Sequence, residues 1–124
     1  MLPREDLVRL RHMLDIAREA RSYVAGRQRE DIWQDSKLGR ALTACLMIPG
    51  EAANSVSAAT QQAHGEIAWS DIIAMRHKLI HAYFDLNLNI VWETVQDDLP
   101  VLIPQLEQLL SEEGGGGPSP LPLP

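Results

Sequence analysis

The sequence predicts an all-α protein, and three observations support this fold class. Apolar residues recur at spacings of three and four along most of the chain, which is the spacing of one face of a helix. No run of residues keeps the alternation of apolar and polar side chains that a half-buried strand needs. Glycine and proline fall mainly between the periodic segments, where they end or begin helices.

The first helix should run from about residue 4 to Val24 and end near Gly26. Pro3 suits the start of a helix, and the apolar face follows as Leu7, Leu10, Leu14 and Ala17. The other faces carry four arginines, and we expect most of them to lie on a solvated surface: Arg9, Arg11, Arg18 and Arg21.

The second helix should begin near Ser36 and be interrupted at Pro49-Gly50. The helical pattern resumes after the interruption, so the sequence predicts either a kink or two abutting helices. Gly50, Ala53 and Ser57 form a stripe of small residues. Such a stripe lets another backbone approach closely, either a neighbouring helix of the same chain or a second subunit.

Three further helices should follow in the second half of the chain. The third should run from about Asp71 to Tyr83 with Ser70 as its N-cap. A short fourth helix is expected over residues 90–98, and Pro100 should separate it from a last helix over 101–110.

Length and composition describe one ordinary globular domain. The chain has 124 residues, of which 45% are hydrophobic and 23% charged. We expect residues 1–113 to form the domain and the glycine- and proline-rich residues 114–124 to be a disordered tail. Cys45 is the only cysteine, which excludes a disulfide scaffold and suits a reducing cytoplasm. The sequence has neither a long apolar run nor a signal peptide, so we expect a cytoplasmic protein without membrane association.

The charge distribution excludes a general nucleic-acid coat. The formal net charge is −6, and residues 79–124 contain seven acids and no Lys or Arg. Residues 1–40 contain nine Lys or Arg against seven Asp or Glu. Any nucleic acid must therefore bind at a local patch, either at the N-terminal arginines or at the cluster Arg76-His77-Lys78.

Arg76 occupies an unusual position on the predicted third helix. At about 100° per residue, the apolar side chains at positions 72, 73, 79, 80 and 83 all lie within about 60° of it. An arginine in the middle of an apolar face must extend its guanidinium to water, pair with a carboxylate, or line a cleft or subunit interface. The first two roles are purely structural and stay open at this point.

His77 and His81 lie four residues apart on another face of the same helix. Two histidines at this spacing can bind zinc, but the sequence offers no clear third ligand, and we expect no metal site. His81 and Arg76 are about 140° apart on an ideal helix, so they do not easily reach one atom. They could converge if the helix is distorted, or if two copies of the chain pack around a two-fold axis.

Arginine and histidine together suit RNA cleavage. Histidine exchanges a proton near neutral pH, and arginine stabilises the charge that develops on a phosphate. A base that removes the 2′-OH proton allows that hydroxyl to attack the phosphorus, which needs no metal. DNA lacks the hydroxyl and should resist.

The string Arg76-His77-Lys78-Leu79-Ile80-His81-Ala82-Tyr83 resembles the Arg-x4-His-x-Tyr motif of HEPN-domain proteins, and is closest to their HepT-like branch. The resemblance covers roughly residues 4–112 and includes GEAAN at 50–54 and the stretch YFDLNLNIVWETVQDDLP after the motif. It implies an all-α HEPN-type bundle of four to five helices that forms a homodimer. It also implies the toxin of a type VII HEPN/MNT toxin–antitoxin system: a metal-independent endoribonuclease that needs no cofactor, with tRNA and mRNA as candidate substrates.

The same resemblance assigns roles to individual residues. Arg76 and His81 would be the catalytic pair, and Tyr83 would be the tyrosine to which a cognate minimal nucleotidyltransferase antitoxin transfers AMP. His77 stands where the family often has asparagine, and His77 and Lys78 are candidates for assisting roles. Two alternatives stay open: a non-catalytic HEPN module that binds a nucleotidyltransferase, and a plain helical dimerisation protein.

Overall fold

The computed structural model describes residues 1–81 and 87–113, apart from the side chains of Ile80 and His81. Within these ranges the chain is all-helical and contains no strand, as the sequence predicts. The predicted tail, residues 114–124, lies outside the described residues.

Four helices make up the first half of the described chain. Helix α1 spans Arg4–Val24, α2 spans Asp31–Gln34, α3 spans Ser36–Ser55 and α4 spans Ala58–Ala63. The second half contains α5 (Trp69–His81), α6 (Leu88–Glu93), a π-helical turn (Thr94–Asp98) and α7 (Leu99–Glu112). The described residues thus contain more helices than the four to five that the resemblance implies, although α2, α4 and α6 have only four to six residues each.

Helix α1 has the predicted bounds and the predicted buried face. Leu10, Leu14 and Ala17 are buried, and Leu7 packs at the edge of the core. The chain leaves the helix through Gly26, whose φ of 74° lies in the left-handed region that favours glycine. The expectation that most of its four arginines are solvated is wrong, because Arg18 is exposed whereas Arg9, Arg11 and Arg21 are half-buried.

Arg21 is half-buried and tied to the π-helical turn. Its guanidinium donates to the backbone oxygen of Val95 at 3.3 Å and to the side chain of Gln96. Arg18 forms a surface ion pair with Glu107 of α7 at 2.5 Å. The arginine face of α1 thus helps to hold α7 and the π-helical turn in place.

Helix α3 begins where predicted but is not divided at Pro49. The carboxylate of Asp35 caps it by accepting from the backbone N–H groups of Lys37 and Leu38. The helix then continues as one element through Pro49 to Ser55, which excludes two abutting helices and leaves the kink, the other predicted alternative. Pro49 is buried and lines the cleft that α3 forms with α5 and α7.

The start of α5 and the end of the short fourth helix also differ from the prediction. Helix α5 begins at Trp69, so Ser70 lies inside its first turn and is not the cap. Trp69 is buried, and its indole N–H donates to the backbone oxygen of His64 at 3.0 Å, which fixes this earlier start. Pro100 does not separate two helices, because it follows the π-helical turn and occupies the first turn of α7, where no N–H is needed.

Helix α3 lies at the centre of the arrangement. It packs against α1 on one side and against α5 on another, and α1 also packs against α7. The core between these helices is mainly aliphatic, and its fully buried large side chains include Leu10, Met13, Ile32, Leu42, Ile67, Val91, Val95, Leu106 and Leu109.

A buried carboxylate joins α1 to the start of α4. Asp6 is 3% exposed and accepts hydrogen bonds from the hydroxyls of Ser57 and Thr60, each at 2.6 Å, and from the N–H of Ser57 at 3.1 Å. Burial by itself would raise the pKa of Asp6, but these hydrogen bonds and the charge of Arg9 lower it overall. The cluster fixes α4 relative to the rest of the domain.

Within residues 1–81 and 87–113, no helix combines the length and the apolar character that are needed to cross a membrane.

Candidate functional site

Helix α5 carries the three predicted site residues whose side chains the structure describes. Leu79 anchors its apolar side and is 5% exposed, whereas Ile72 and Ile73 are half-buried and pack at the edge of the core. This side faces α3, so the residues of α5 are held by the most central helix of the domain.

Gly50 is the point at which α3 and α5 cross. A Cβ built at Gly50 would lie 2.5 Å from the Cβ of Arg76 and 3.0 Å from the backbone oxygen of Ile72. Both distances are shorter than van der Waals contact, which lies at about 3.5–4.0 Å between carbon atoms. Only glycine fits at this position, and the crossing therefore fixes the backbone of Arg76.

The small-residue stripe is thus used inside the protomer. Gly50 and Ala53 are both buried, and Gly50 directly contacts α5. The sequence left open whether the stripe meets a neighbouring helix or a second subunit, and the structure decides for the neighbouring helix.

Arg76 is half-buried, in keeping with its position on the apolar face. Within the described part of the chain, none of the ion pairs involves Arg76. The salt-bridged structural role that the sequence allowed therefore has no support among these residues.

His77 and Lys78 are exposed and lie on other sides of α5 than Arg76. His77 lines an open groove between α4 and α5. His81 is the last residue of α5, and its side chain lies outside the described part of the structure. Tyr83 also lies outside the described residues, so the roles predicted for His81 and Tyr83 stay predictions.

Two concave surfaces border α5, and their chemical character differs. The first is a cleft of about 230 Å³ between α3, α5 and α7, with mainly apolar walls and two carboxylates, Asp71 and Asp98. Burial raises the pKa of Asp98, and the negative charges of Asp97 and Asp71 add to this effect. An acidic cleft of this kind repels a phosphate backbone.

The second surface is the open groove that contains His77, which we call the α4–α5 groove. Its volume is about 560 Å³, and it is lined by Ala58, Gln61, Gln62, Trp69, Ser70, Ile73, Ala74 and His77. The lining contains two amides, a hydroxyl and an imidazole but neither carboxylate nor Lys nor Arg. Sequence reasoning missed Gln61 and Gln62, because an ordinary glutamine pair on a short helix carries no signal until the fold places it beside α5.

The described residues contain no group of three or more His, Cys, Asp or Glu side chains that could hold a metal ion. The pair His77 and His81 is not tested by this result, because the side chain of His81 is outside the described part.

The fold and the site together define a class: a small all-helical protein in which one helix, α5, carries a half-buried arginine and an adjacent histidine. Comparison with known proteins makes this class specific. Residues 13–109 match the family model described as "Ribonuclease HepT-like", and the chain belongs to this HepT-like ribonuclease family. Membership supports a ribonuclease activity for the protein.

Two relatives illustrate the similarity. The chain is 36% identical over 104 residues to the "Putative RNase" TTE0752 of Caldanaerobacter subterraneus subsp. tengcongensis, covering 84% of this chain and 93% of the relative. It is 39% identical over 80 residues to the "Probable ribonuclease HepT" of Thermococcus cleftensis, covering 64% of this chain and 73% of the relative. No solved structure matches the chain.

Proposed function

We propose that the protein is the toxin component of a HEPN/MNT toxin–antitoxin system and acts as a metal-independent endoribonuclease. Arg76 and His81 are its catalytic pair, and AMP transfer to Tyr83 by a cognate minimal nucleotidyltransferase neutralises it. The observation that carries the proposal is the setting of Arg76. This cation is half-buried, its backbone is fixed where α5 crosses α3 at Gly50, and it takes part in none of the ion pairs found among the described residues.

The proposed chemistry follows from the two side chains. The imidazole of His81 removes the proton from a ribose 2′-OH, and the oxygen attacks the adjacent phosphorus while the 5′-oxygen leaves. The guanidinium of Arg76 donates to the non-bridging oxygens and stabilises the additional negative charge. The imidazolium of His81 then returns its proton to the 5′-oxygen, directly or through water, so the products are a 2′,3′-cyclic phosphate and a 5′-hydroxyl, and DNA is not cleaved.

The regular geometry of α5 supports a homodimer. The element is α-helical from Trp69 to His81, and on an ideal α-helix Arg76 and His81 point about 140° apart. Two copies of α5 around a two-fold axis allow the arginine of one protomer to act with the histidine of the other. Gly50 and Ala53 of α3 are buried within each protomer, so the proposed interface uses α5 and not this small-residue stripe.

RNA cleavage in the presence of EDTA tests the nuclease proposal. Arg76→Ala and His81→Ala should each reduce cleavage by about a hundredfold or more, since each removes a charge stabiliser or a proton-transfer group. Arg40→Ala and His12→Ala are matched controls at exposed positions and should retain the activity of the parent. Loss of activity in EDTA would contradict the metal-free mechanism, and full activity of both site variants would contradict the assignment.

Intact-mass measurement after co-expression with the cognate nucleotidyltransferase tests the proposed modification. Mass increments of AMP should appear on the parent and on Tyr23→Phe, which changes the only other tyrosine in the chain. They should be absent from Tyr83→Phe. The modified protein should lose RNA cleavage, because the added phosphate would pair with Arg76 and compete with RNA. The same increment on Tyr83→Phe would contradict the assignment.

The two alternative functions predict different results from the same material. A non-catalytic HEPN module would co-purify with the nucleotidyltransferase but would not cleave RNA. A plain dimerisation protein would do neither, although it would behave as a dimer in light scattering.

A further inference from the structure

We infer that the α4–α5 groove binds one unstacked base of a single-stranded RNA substrate and so determines which nucleotide stands beside the cleaved bond. This inference rests on the proposed ribonuclease function and adds a specificity site to it. The groove borders the same helix as Arg76, and His77 at its edge precedes His81 by one helical turn on the same face.

The position of the groove relates it to the catalytic pair. Four residues of α-helix correspond to a rise of about 6 Å, so His77 lies about one turn before His81 along α5. A strand whose reacting ribose is at His81 therefore places a neighbouring nucleotide beside His77. Lys78 is exposed next to this position and can contact the phosphate backbone.

The chemical character of the groove suits a nucleobase. A base is flat, uncharged and rich in hydrogen-bonding groups along its edge, and proteins recognise it by stacking and by hydrogen bonds to that edge. Among the described residues, the lining consists of uncharged side chains and the imidazole of His77. The acidic cleft on the other side of α5, with Asp71 and Asp98, does not have this character.

Two of the lining side chains are held in position by other contacts. The amide nitrogen of Gln61 donates to the backbone oxygens of Ala53 at 3.1 Å and Val56 at 3.2 Å, which leaves its amide oxygen as the acceptor. Trp69 is buried, and its indole N–H donates to the backbone oxygen of His64, so this residue is a fixed part of the groove wall. A fixed acceptor is suited to base recognition, because little side-chain freedom is lost on binding.

Gln62 and Ser70 supply the groups that can distinguish one base from another. Both residues are exposed, one on α4 and the other on the first turn of α5. An amide can donate and accept at once, and a hydroxyl can do either, so together they can match a specific pattern along the edge of a base. The groove volume of about 560 Å³ also lies within the usual range for small-ligand sites.

The experiment uses four single-stranded RNA oligonucleotides that differ only in the nucleotide beside the cleaved bond. For each one, kcat and KM are measured in EDTA with the full chain, and binding is measured separately by fluorescence anisotropy with a non-cleavable 2′-deoxy residue at the scissile position. The parent should prefer one base by about tenfold or more in kcat/KM, which is the effect of about one well-placed hydrogen bond.

Gln62→Ala and Ser70→Ala should reduce this preference to less than about threefold, mainly through KM, while Gln108→Ala on the exposed face of α7 should keep it. Ala74→Phe should fill the groove and raise KM for all four substrates, whereas Ala44→Phe, at an exposed position of α3, should not. Circular dichroism of each variant verifies that the helices are intact.

The possible outcomes separate this inference from the proposed function. Cleavage by the parent without any base preference, or an unchanged preference in both Gln62→Ala and Ser70→Ala, would overturn the groove assignment and leave the nuclease intact. Base-selective binding that these variants lose, without any cleavage, would support the groove and contradict the nuclease. Neither binding nor cleavage of RNA by the parent would refute both.

Discussion

Replacing Gly50 by alanine tests whether the crossing of α3 and α5 controls both stability and the position of Arg76. The added methyl group would begin at 2.5 Å from the Cβ of Arg76 and 3.0 Å from the backbone oxygen of Ile72. Restoring ordinary contact requires the two helices to separate by about 1 Å, since van der Waals contact lies at about 3.5–4.0 Å. Neither obstacle is the end of a flexible side chain, so the backbone itself must move.

Two effects of opposite sign determine the magnitude. Alanine is better than glycine in a helix interior by about 1 kcal/mol. Overpacking of a well-packed interior costs about 1–3 kcal/mol, and occasionally more when backbone must shift. Because the obstacle is backbone and Cβ, we expect the overpacking cost to exceed the propensity gain, with a net loss of about 1–2 kcal/mol and a fall in Tm of about 4–16 °C.

Gly39 provides a matched control in the same helix. It is also buried, but a Cβ there would lie 3.5 Å from the backbone oxygen of Ile32 and 3.6 Å from a methyl carbon of Leu88, which is ordinary contact. Gly39→Ala should therefore stabilise the protein by about 0.5–1 kcal/mol or leave it unchanged. The two substitutions are chemically identical, so the difference between them measures the helix crossing alone.

The assays are urea unfolding and RNA cleavage. Gly50→Ala should also lower cleavage by about a hundredfold, because a displacement of about 1 Å in a catalytic group has effects of this size. Gly39→Ala should cleave RNA as the parent does. If Gly50→Ala is as stable and as active as Gly39→Ala, the crossing does not hold Arg76 in place and the reasoning is refuted.

Two further predictions concern single buried groups. The lowered pKa of Asp6 means that the folded state binds the proton more weakly than the unfolded state does. The carboxylate therefore stabilises the fold above the unfolded pKa near 3.8, and this stabilisation is lost as the pH falls through the lower folded pKa. Asp6→Asn should weaken this acid dependence and lower the free energy of unfolding near pH 7 by about 1–3 kcal/mol, because the cluster loses a charged acceptor. Urea unfolding from pH 5 to pH 2 measures this, and an equal change of the free energy of unfolding with pH in parent and variant would contradict it. Burial raises the pKa of Cys45 to about 11, and the charge and hydrogen bond of Glu19 contribute, so iodoacetamide at pH 8 should alkylate the folded protein at least about a hundredfold more slowly than the urea-unfolded protein. Similar alkylation rates in the folded and unfolded protein would contradict this prediction, because they would require an accessible and readily ionised thiol.

The sequence alone determined the fold class and the bounds of several helices, because these depend on local periodicity and on end signals. The apolar spacing of α1 and the glycine at position 26 gave its length. The residue pattern from Arg76 to Tyr83 gave the family resemblance, and the match over residues 13–109 confirms it. Arg76 was recognisable as unusual from the helical wheel alone, since an arginine at the centre of an apolar face is visible without any coordinates.

Other features depended on contacts between distant parts of the chain. Pro49 reads locally as a helix break, but it is buried in the folded domain and α3 continues through it to Ser55. The stripe at Gly50 was equally compatible with a neighbouring helix or a second subunit until the packing of α5 decided between them. The α4–α5 groove could not be read from the sequence, since Gln61 and Gln62 gain their chemical setting only when the fold brings α4 beside α5. Helix periodicity is a property of neighbouring residues, whereas a helix crossing or a groove is a property of surfaces that only tertiary packing brings together.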